Sequence, residues 1–239
     1  MLERFDTIRN GLADAARLSG RDASSVSLVA VSKWHDAKKV AELARYWKGL
    51  GVGYPVFGEN YVQEAVDKQT AVASLLCAST ETKNILPEWH FIGHVQSRKA
   101  RDVVGRFNLI HTLDSEKLAN QLQKMAQSHN LPPQEVLIQV NIGEEPQKSG
   151  VAPDATEALI TSVMQLSEIH ITGLMCLPPL FGEAEVSRPY FVKLRELRDT
   201  LARATGLALP HLSMGMTGDF EIAVEEGATM VRIGTALFR

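Results

Sequence analysis

Short runs of apolar, often β-branched residues alternate along the whole chain with longer stretches in which apolar residues recur every three or four positions. The short runs have the length of strands, and several are apolar throughout, which is typical of strands covered on both faces. The longer stretches are typical of amphipathic helices packed on a sheet. Strands and helices in regular alternation predict parallel βαβ units.

Eight strands are predicted, at residues 27–32, 53–57, 89–92, 109–113, 136–142, 171–177, 211–214 and 229–233. Helices are predicted at 40–47, 61–76, 96–106, 115–129, 154–167, 190–201 and 219–226. Eight such units in 239 residues fit a single (β/α)8 TIM barrel, whose usual length is about 250 residues. A doubly wound open sheet is the alternative.

No linker or shift in composition divides the chain, so we expect one domain over residues 1–239. Because few residues follow Gly234, we expect no helix after the eighth strand. The amphipathic stretch 2–18 is expected to form an extra N-terminal helix that covers this gap.

Composition narrows the classes of function. The chain is 45% hydrophobic and 22% charged, with a net charge of -3, so it has no excess of positive charge for nucleic acid. No apolar run reaches the eighteen or so residues that cross a membrane. The two cysteines, Cys77 and Cys176, lie far apart and do not form the pattern of a disulfide framework, so we expect a cytoplasmic location. Neither these cysteines nor the scattered histidines have the spacing of a zinc site, so we expect no metal.

Lys33 directly follows the apolar run of the first strand. In a parallel barrel the working groups come from the C-terminal ends of the strands, so its amine is expected at the mouth of the barrel. Partial desolvation there favours the neutral amine that forms an imine with a carbonyl compound. A lysine that extends its amine into solvent fits the same position.

Residues 232–235 (RIGT) end the last strand. The backbone N–H groups of Gly234 and Thr235, the Thr235 hydroxyl and Ser213 on the seventh strand lie at the end of a barrel where phosphate groups commonly bind. Glycine at a strand end is also a common turn residue. A lysine on the first strand together with phosphate donors on the last two is more specific than either feature alone.

Seven segments spread over nearly the whole chain resemble the pyridoxal 5'-phosphate (PLP) homeostasis family, also called the PLP-binding proteins. The seven segments are LVAVSK (28–33), FGENYVQE (57–64), WHFIG with QSRK (89–99), QVNIGEEPQKSG (139–150), GLMCLPP (173–179), RPYFVKLREL (188–197) and LSMGMTGDFEIAVEEGATMVRIGTALF (212–238).

The resemblance implies a single barrel like the N-terminal domain of alanine racemase, with Lys33 holding PLP as an internal aldimine. It implies that Ser213, Gly234 and Thr235 bind the phosphate. It also implies further cofactor-binding positions at Arg232, which faces the pyridine nitrogen, at Asn60 and, with less support from the motif, at His90. The usual family pattern differs at His94, Val95 and Gly218.

The resemblance further implies a monomeric carrier that buffers PLP or delivers it to apo PLP-dependent enzymes and takes part in vitamin B6 and amino-acid homeostasis, without catalysis. Arginine cannot accept a hydrogen bond, so Arg232 would keep the ring nitrogen unprotonated and disfavour carbanion chemistry. A PLP-dependent racemase or lyase is the alternative, and a Schiff-base aldolase without a cofactor is the third hypothesis.

Overall fold

Eight parallel strands form a closed barrel in which each strand pairs with the next and the last pairs with the first. The computed structural model describes residues 1–78, 82, 84–179 and 182–238. The strands are β1 Ser27–Val31, β2 Val56–Glu59, β3 Glu88–Phe91, β4 Leu109–Leu113, β5 Gln134–Val140, β6 Ile169–Cys176, β7 His211–Ser213 and β8 Met230–Ile233. The predicted (β/α)8 barrel is confirmed, and the open sheet is wrong.

Helices lie along the outside of the barrel, between successive strands and at both ends of the described chain. They are α1 Leu2–Leu18, α2 Ala37–Gly49, α3 Val62–Cys77, α4 Ala100–Val103, α5 Glu116–Ser128, α6 Thr156–Val163, α7 Arg188–Thr205, α8 Phe220–Glu225 and α9 Thr235–Phe238. Local residues set several of their ends: the Asp36 side chain accepts a hydrogen bond from the Lys39 N–H before α2, and Gly206 ends α7 in the left-handed conformation.

The expectation that no helix follows the eighth strand is wrong, because α9 forms a single turn directly after Gly234. This turn buries Leu237 and Phe238, so even four residues gain enough apolar contact to be ordered. The region predicted as one helix over 96–106 contains a short 3₁₀ turn followed by the four residues of α4.

Helix α1 packs against α8 and α9, beside the last strand. It buries Phe5, Ile8 and Leu12, and the Phe5 ring lies 4.8 Å from the ring of Trp47 in α2. The expected N-terminal helix is therefore present and covers the side of the barrel where the closing helix has only one turn. None of the helices in the described part of the chain is long and apolar enough to cross a membrane.

Successive residues of each strand face two different buried regions. One set packs between the strands and the helices. The other set points into the barrel, and its apolar members are Val29, Val56, Leu109, Leu137, Met175 and Met230. The C-terminal ends of the strands form the mouth of the barrel, and the interior side chains lie below it.

Candidate functional site

Lys33 lies two residues beyond the end of β1, at the mouth of the barrel. Its side chain is half-buried, and its Nζ lies 5.1 Å from the ring centre of Trp34, within range of a cation–π contact. Trp34 is 72% exposed and has a φ of 66°, which is unusual for a bulky residue. The backbone is therefore strained directly after the candidate lysine, as often occurs at functional sites.

A cluster of polar and charged residues between the first two strands and α3, formed by Ser32, Glu59, Glu64 and Lys68, holds this strained segment. The buried Lys68 ammonium donates to the Ser32 carbonyl, to Glu59 Oε1 at 2.7 Å and to Glu64 Oε1 at 2.8 Å. Glu64 also accepts a hydrogen bond from the Trp34 N–H, and the Ser32 hydroxyl donates to Glu59 at 2.6 Å. The residues on both sides of Lys33 are thus held by side chains of β2 and α3.

Burial raises the pKa of Glu59, while the hydrogen bonds from Lys68 and Ser32 act in the opposite direction. Glu59 and Glu64 belong to a segment that the sequence singled out, but Lys68 was not predicted to take part. Its spacing of four residues from Glu64 on α3 is the sequence signal that could have found this ion pair.

Arg232 lies in the barrel interior, 5% exposed. Its Nη1 donates to Ser213 Oγ at 2.6 Å and its Nη2 donates to the Cys176 carbonyl at 2.9 Å. Among the described residues no carboxylate lies within 4.0 Å of this guanidinium, and burial lowers its pKa. Since a guanidinium carries five N–H donors, it has donors left for a ligand.

Gly234 and Thr235 lie at the same mouth, directly after β8, the strand that pairs with β1. In the β1–β8 pairing Ala30 is opposite Ile233, and a Cβ added at Gly234 would lie 3.1 Å from the Cβ of Val31. A small residue is therefore suited to this close packing, and the exposed Thr235 begins α9.

Asn60 follows β2 at the same end of the barrel and is half-buried. Its buried Oδ1 has no hydrogen-bond partner in the described structure. A Cβ added at Gly93, after β3, would lie 2.2 Å from the Asn60 carbonyl oxygen, so this packing needs glycine. An unpaired buried acceptor is costly, which makes Asn60 a candidate ligand contact.

Ser213 and His90 lie deeper, inside the barrel. Ser213 Oγ accepts from Arg232 and lies 2.9 Å from His111 Nδ1. His90 Nδ1 lies 3.0 Å from His111 Nε2. The role of Ser213 in binding phosphate stays a prediction. His111 was not predicted as a site residue, although a histidine within the otherwise apolar run of β4 was a sequence signal for it.

The groups at and below the mouth differ in kind: a primary amine, a buried guanidinium with free donors, an unpaired amide oxygen and the closely packed glycine that follows the last strand. This set fits a small molecule that carries a carbonyl, a neutral ring acceptor and an anionic group. No group of three or more potential metal ligands occurs within the described ranges.

Comparison with known proteins identifies the family. Residues 5–239 match the family model of the alanine racemase N-terminal domain. The pyridoxal phosphate homeostasis protein of Aquifex aeolicus is 42% identical over 236 residues, which cover 99% of this chain and 96% of the relative. The chain belongs to the pyridoxal phosphate homeostasis protein family. The resemblance carried by the seven sequence segments is thereby confirmed.

Solved structures of PipY from Synechococcus elongatus share the fold. The structure without PLP has a TM-score of 0.82 at 34% identity and covers all (100%) of both chains. The structure with PLP bound has a TM-score of 0.77 at 35% identity and covers 95% of this chain and 100% of PipY. The curated relatives from Aquifex aeolicus and Pseudomonas aeruginosa are named for homeostasis of PLP and not for a reaction.

Proposed function

We propose that this chain binds PLP through Lys33 and serves to buffer or deliver it. The observation that carries the proposal is the position of Lys33 and the RIGT segment at the C-terminal ends of the neighbouring strands β1 and β8, at one end of one barrel. The PLP bound to PipY, a relative at 35% identity, supports the same ligand for this chain.

Each group at the mouth has a role in this proposal. Lys33 binds the aldehyde, Gly234 and Thr235 bind the phosphate, and Arg232 donates to the ring nitrogen. Asn60 offers its unpaired oxygen to a polar group of the cofactor. PLP supplies an aldehyde that condenses reversibly with a primary amine, and a pyridine ring that can act as an electron sink.

A carrier role agrees with the chemistry of Arg232. A guanidinium only donates hydrogen bonds, so it favours the unprotonated ring nitrogen, which withdraws electrons less strongly than a protonated one. The ring is then poorly suited to stabilise a carbanion. Delivery to apo PLP-dependent enzymes, a monomeric state and a cytoplasmic location belong to the same proposal.

The test is to load the purified protein with PLP, record its absorption, reduce it with borohydride and map the modified peptide. We expect one pyridoxyl adduct, on Lys33, which Lys33→Ala abolishes. Lys193→Ala is the matched control, because Lys193 is an exposed lysine paired with Glu144 on the outside of the barrel. An adduct mainly on another residue would contradict the site.

A second measurement separates a carrier from an enzyme. The loaded protein is incubated with single L-amino acids in deuterated water, and the α-proton signal is followed by NMR. We expect no loss beyond that caused by free PLP, whereas a faster loss would indicate a racemase or lyase. A colourless protein that borohydride traps only with a keto compound present would instead indicate the cofactor-free aldolase.

A further inference from the structure

A chain of hydrogen-bonding side chains crosses the barrel interior from β8 to β3. Ser213 Oγ accepts from Arg232 at 2.6 Å and lies 2.9 Å from His111 Nδ1. His111 Nε2 in turn lies 3.0 Å from His90 Nδ1. The other ring nitrogen of His90 lies 3.8 Å from Glu88 Oε2, at the opposite end of the barrel from Lys33. All four interior residues are nearly or fully buried.

The Arg232 end of this chain decides which way its hydrogens point. Arg232 can only donate, so Ser213 Oγ is an acceptor at that end. At the other end the Glu88 carboxylate lies 3.8 Å from His90 Nε2, which is beyond hydrogen-bond distance. A chain of donors running from Arg232 through Ser213 and His111 to His90 therefore satisfies the Ser213 hydroxyl and both ring nitrogens of His111.

The opposite direction fails at the Ser213 end. It would leave the Ser213 hydroxyl hydrogen without an acceptor among the described residues. Burial holds the pKa of His111 well below its ordinary value, so the ring is neutral, and the first direction places its single hydrogen on Nε2.

In this direction the Ser213 hydroxyl has no hydrogen left to donate to a ligand. Its hydrogen goes to His111 Nδ1, and a lone pair goes to the guanidinium. A phosphate would need that hydrogen, because phosphate oxygens only accept hydrogen bonds at neutral pH. Ser213 is therefore suited to orient Arg232, with His111 fixing the rotation of its hydroxyl.

We propose that His111, with His90 behind it, is a positioning residue for Arg232, and that Ser213 serves this chain instead of the phosphate. The inference deepens the proposed function and rests on it, since the guanidinium is the group assigned to the PLP ring. Removal of the His111 acceptor leaves the Ser213 hydroxyl free to rotate, so the Arg232 guanidinium is held less firmly, while Lys33 keeps its surroundings.

The first test needs no PLP. Proteins labelled with ¹⁵N in histidine and arginine are followed by NMR in the ligand-free state. We expect His111 to be neutral at pH 7 with its hydrogen on Nε2. We also expect the Arg232 Nε–H signal to be protected from exchange in the wild type and to exchange at least tenfold faster in His111→Phe. A cationic His111, or one with its hydrogen on Nδ1, would overturn the proposal, as would an unchanged Arg232 signal.

The second test measures PLP affinity. We expect His111→Phe to weaken binding about tenfold, the scale of one lost buried hydrogen bond. His111→Asn, whose amide oxygen can accept from Ser213, is expected to recover most of the affinity, and His211→Phe, on β7 but outside the chain, to stay within about twofold of wild type. Wild-type affinity in folded His111→Phe would refute the role.

The failure of the proposed function is a separate result. If the wild type does not bind PLP, the carrier proposal fails. The histidine tautomer and the exchange rate of the Arg232 signal then decide the positioning role by themselves. If His111→Phe does not fold, the position of the hydrogen on the His111 ring in the wild-type spectra decides the proposal.

Discussion

The barrel interior and the layer between strands and helices are both buried, yet they contain different residues. The outer layer contains the largest fully buried side chains, among them Phe5, Phe57, Phe91 and Phe191. The interior has a small apolar set around Val29 and Met175, and it shares its space with the chain from Arg232 to His90.

The difference shows where stability and specificity come from. Apolar packing is non-directional, so the outer layer tolerates volume-conserving changes and contributes most of the free energy of unfolding. The interior chain contributes less on balance, because each of its polar groups loses water on folding. Its members instead depend on one another's exact position, which suits the orientation of a ligand-binding group.

The largest expected effect tests the outer layer. Phe191→Ala removes a fully buried ring of α7, and we expect it to lower the free energy of unfolding by about 3–5 kcal/mol. Denaturant unfolding measures this loss, with Phe191→Leu as the smaller control change. PLP binding by the fraction that remains folded should be unchanged. A loss of affinity in that fraction would contradict the idea that the outer layer supports stability while the interior supports binding.

An intermediate effect tests the interior. Ser213→Ala leaves an Arg232 N–H and His111 Nδ1 without their shared partner, and we expect a loss of about 1–3 kcal/mol in the free energy of unfolding. Ser162→Ala, which removes an exposed hydroxyl bonded to Glu116, is the control and should cost less than about 0.5 kcal/mol. Equal losses of unfolding free energy in the two variants would contradict the expectation that the buried hydrogen bonds of Ser213 contribute more than the exposed one of Ser162.

The smallest effect is a dependence on pH. Burial lowers the pKa of folded His111 well below 6.5, whereas the unfolded residue takes up a proton near 6.5. The unfolded state then binds more protons below pH 6.5, so the free energy of unfolding falls on acidification, by up to about 1.4 kcal/mol per pH unit for one proton. Denaturant unfolding measured between pH 7 and 5 should show that the free energy of unfolding depends less steeply on pH in His111→Asn than in the wild type.

Other groups do not change the comparison of the two proteins. The pKa values of His35 and His211 are also lowered, chiefly by burial, and both residues remain in each variant. Burial raises the pKa values of Glu59 and Asp114, which acts in the opposite direction on acidification, and both of these residues also remain. The lowered pKa of Glu88 contributes stability that is present above its ordinary pKa of 4.5 and is lost only as the pH falls through the lowered value. Phe191→Leu gives the control, because it changes no titratable group: it should keep the wild-type slope, and an equal change there would contradict the assignment to His111.

The sequence was sufficient for the parts of the site that depend on one strand and its exit. Lys33 and Gly234 were predicted from apolar runs that end in chemically useful residues, and both lie at the mouth of the barrel. The short helix α9 was not predicted, because its stability comes from the burial of Leu237 and Phe238 and not from its length.

The amino-acid sequence by itself determined the alternation of strands and helices, the family and the candidate lysine, because these follow from local periodicity and from contiguous motifs. The tertiary structure decided which polar residues meet. His111 and Ser213 are 102 positions apart and Lys68 and Ser32 are 36 apart. Closure of the barrel brings His111 on β4 near Ser213 on β7, and the packing of α3 beside β1 and β2 brings Lys68 to Ser32, so both contacts depend on strand register and on which face of each strand points inward.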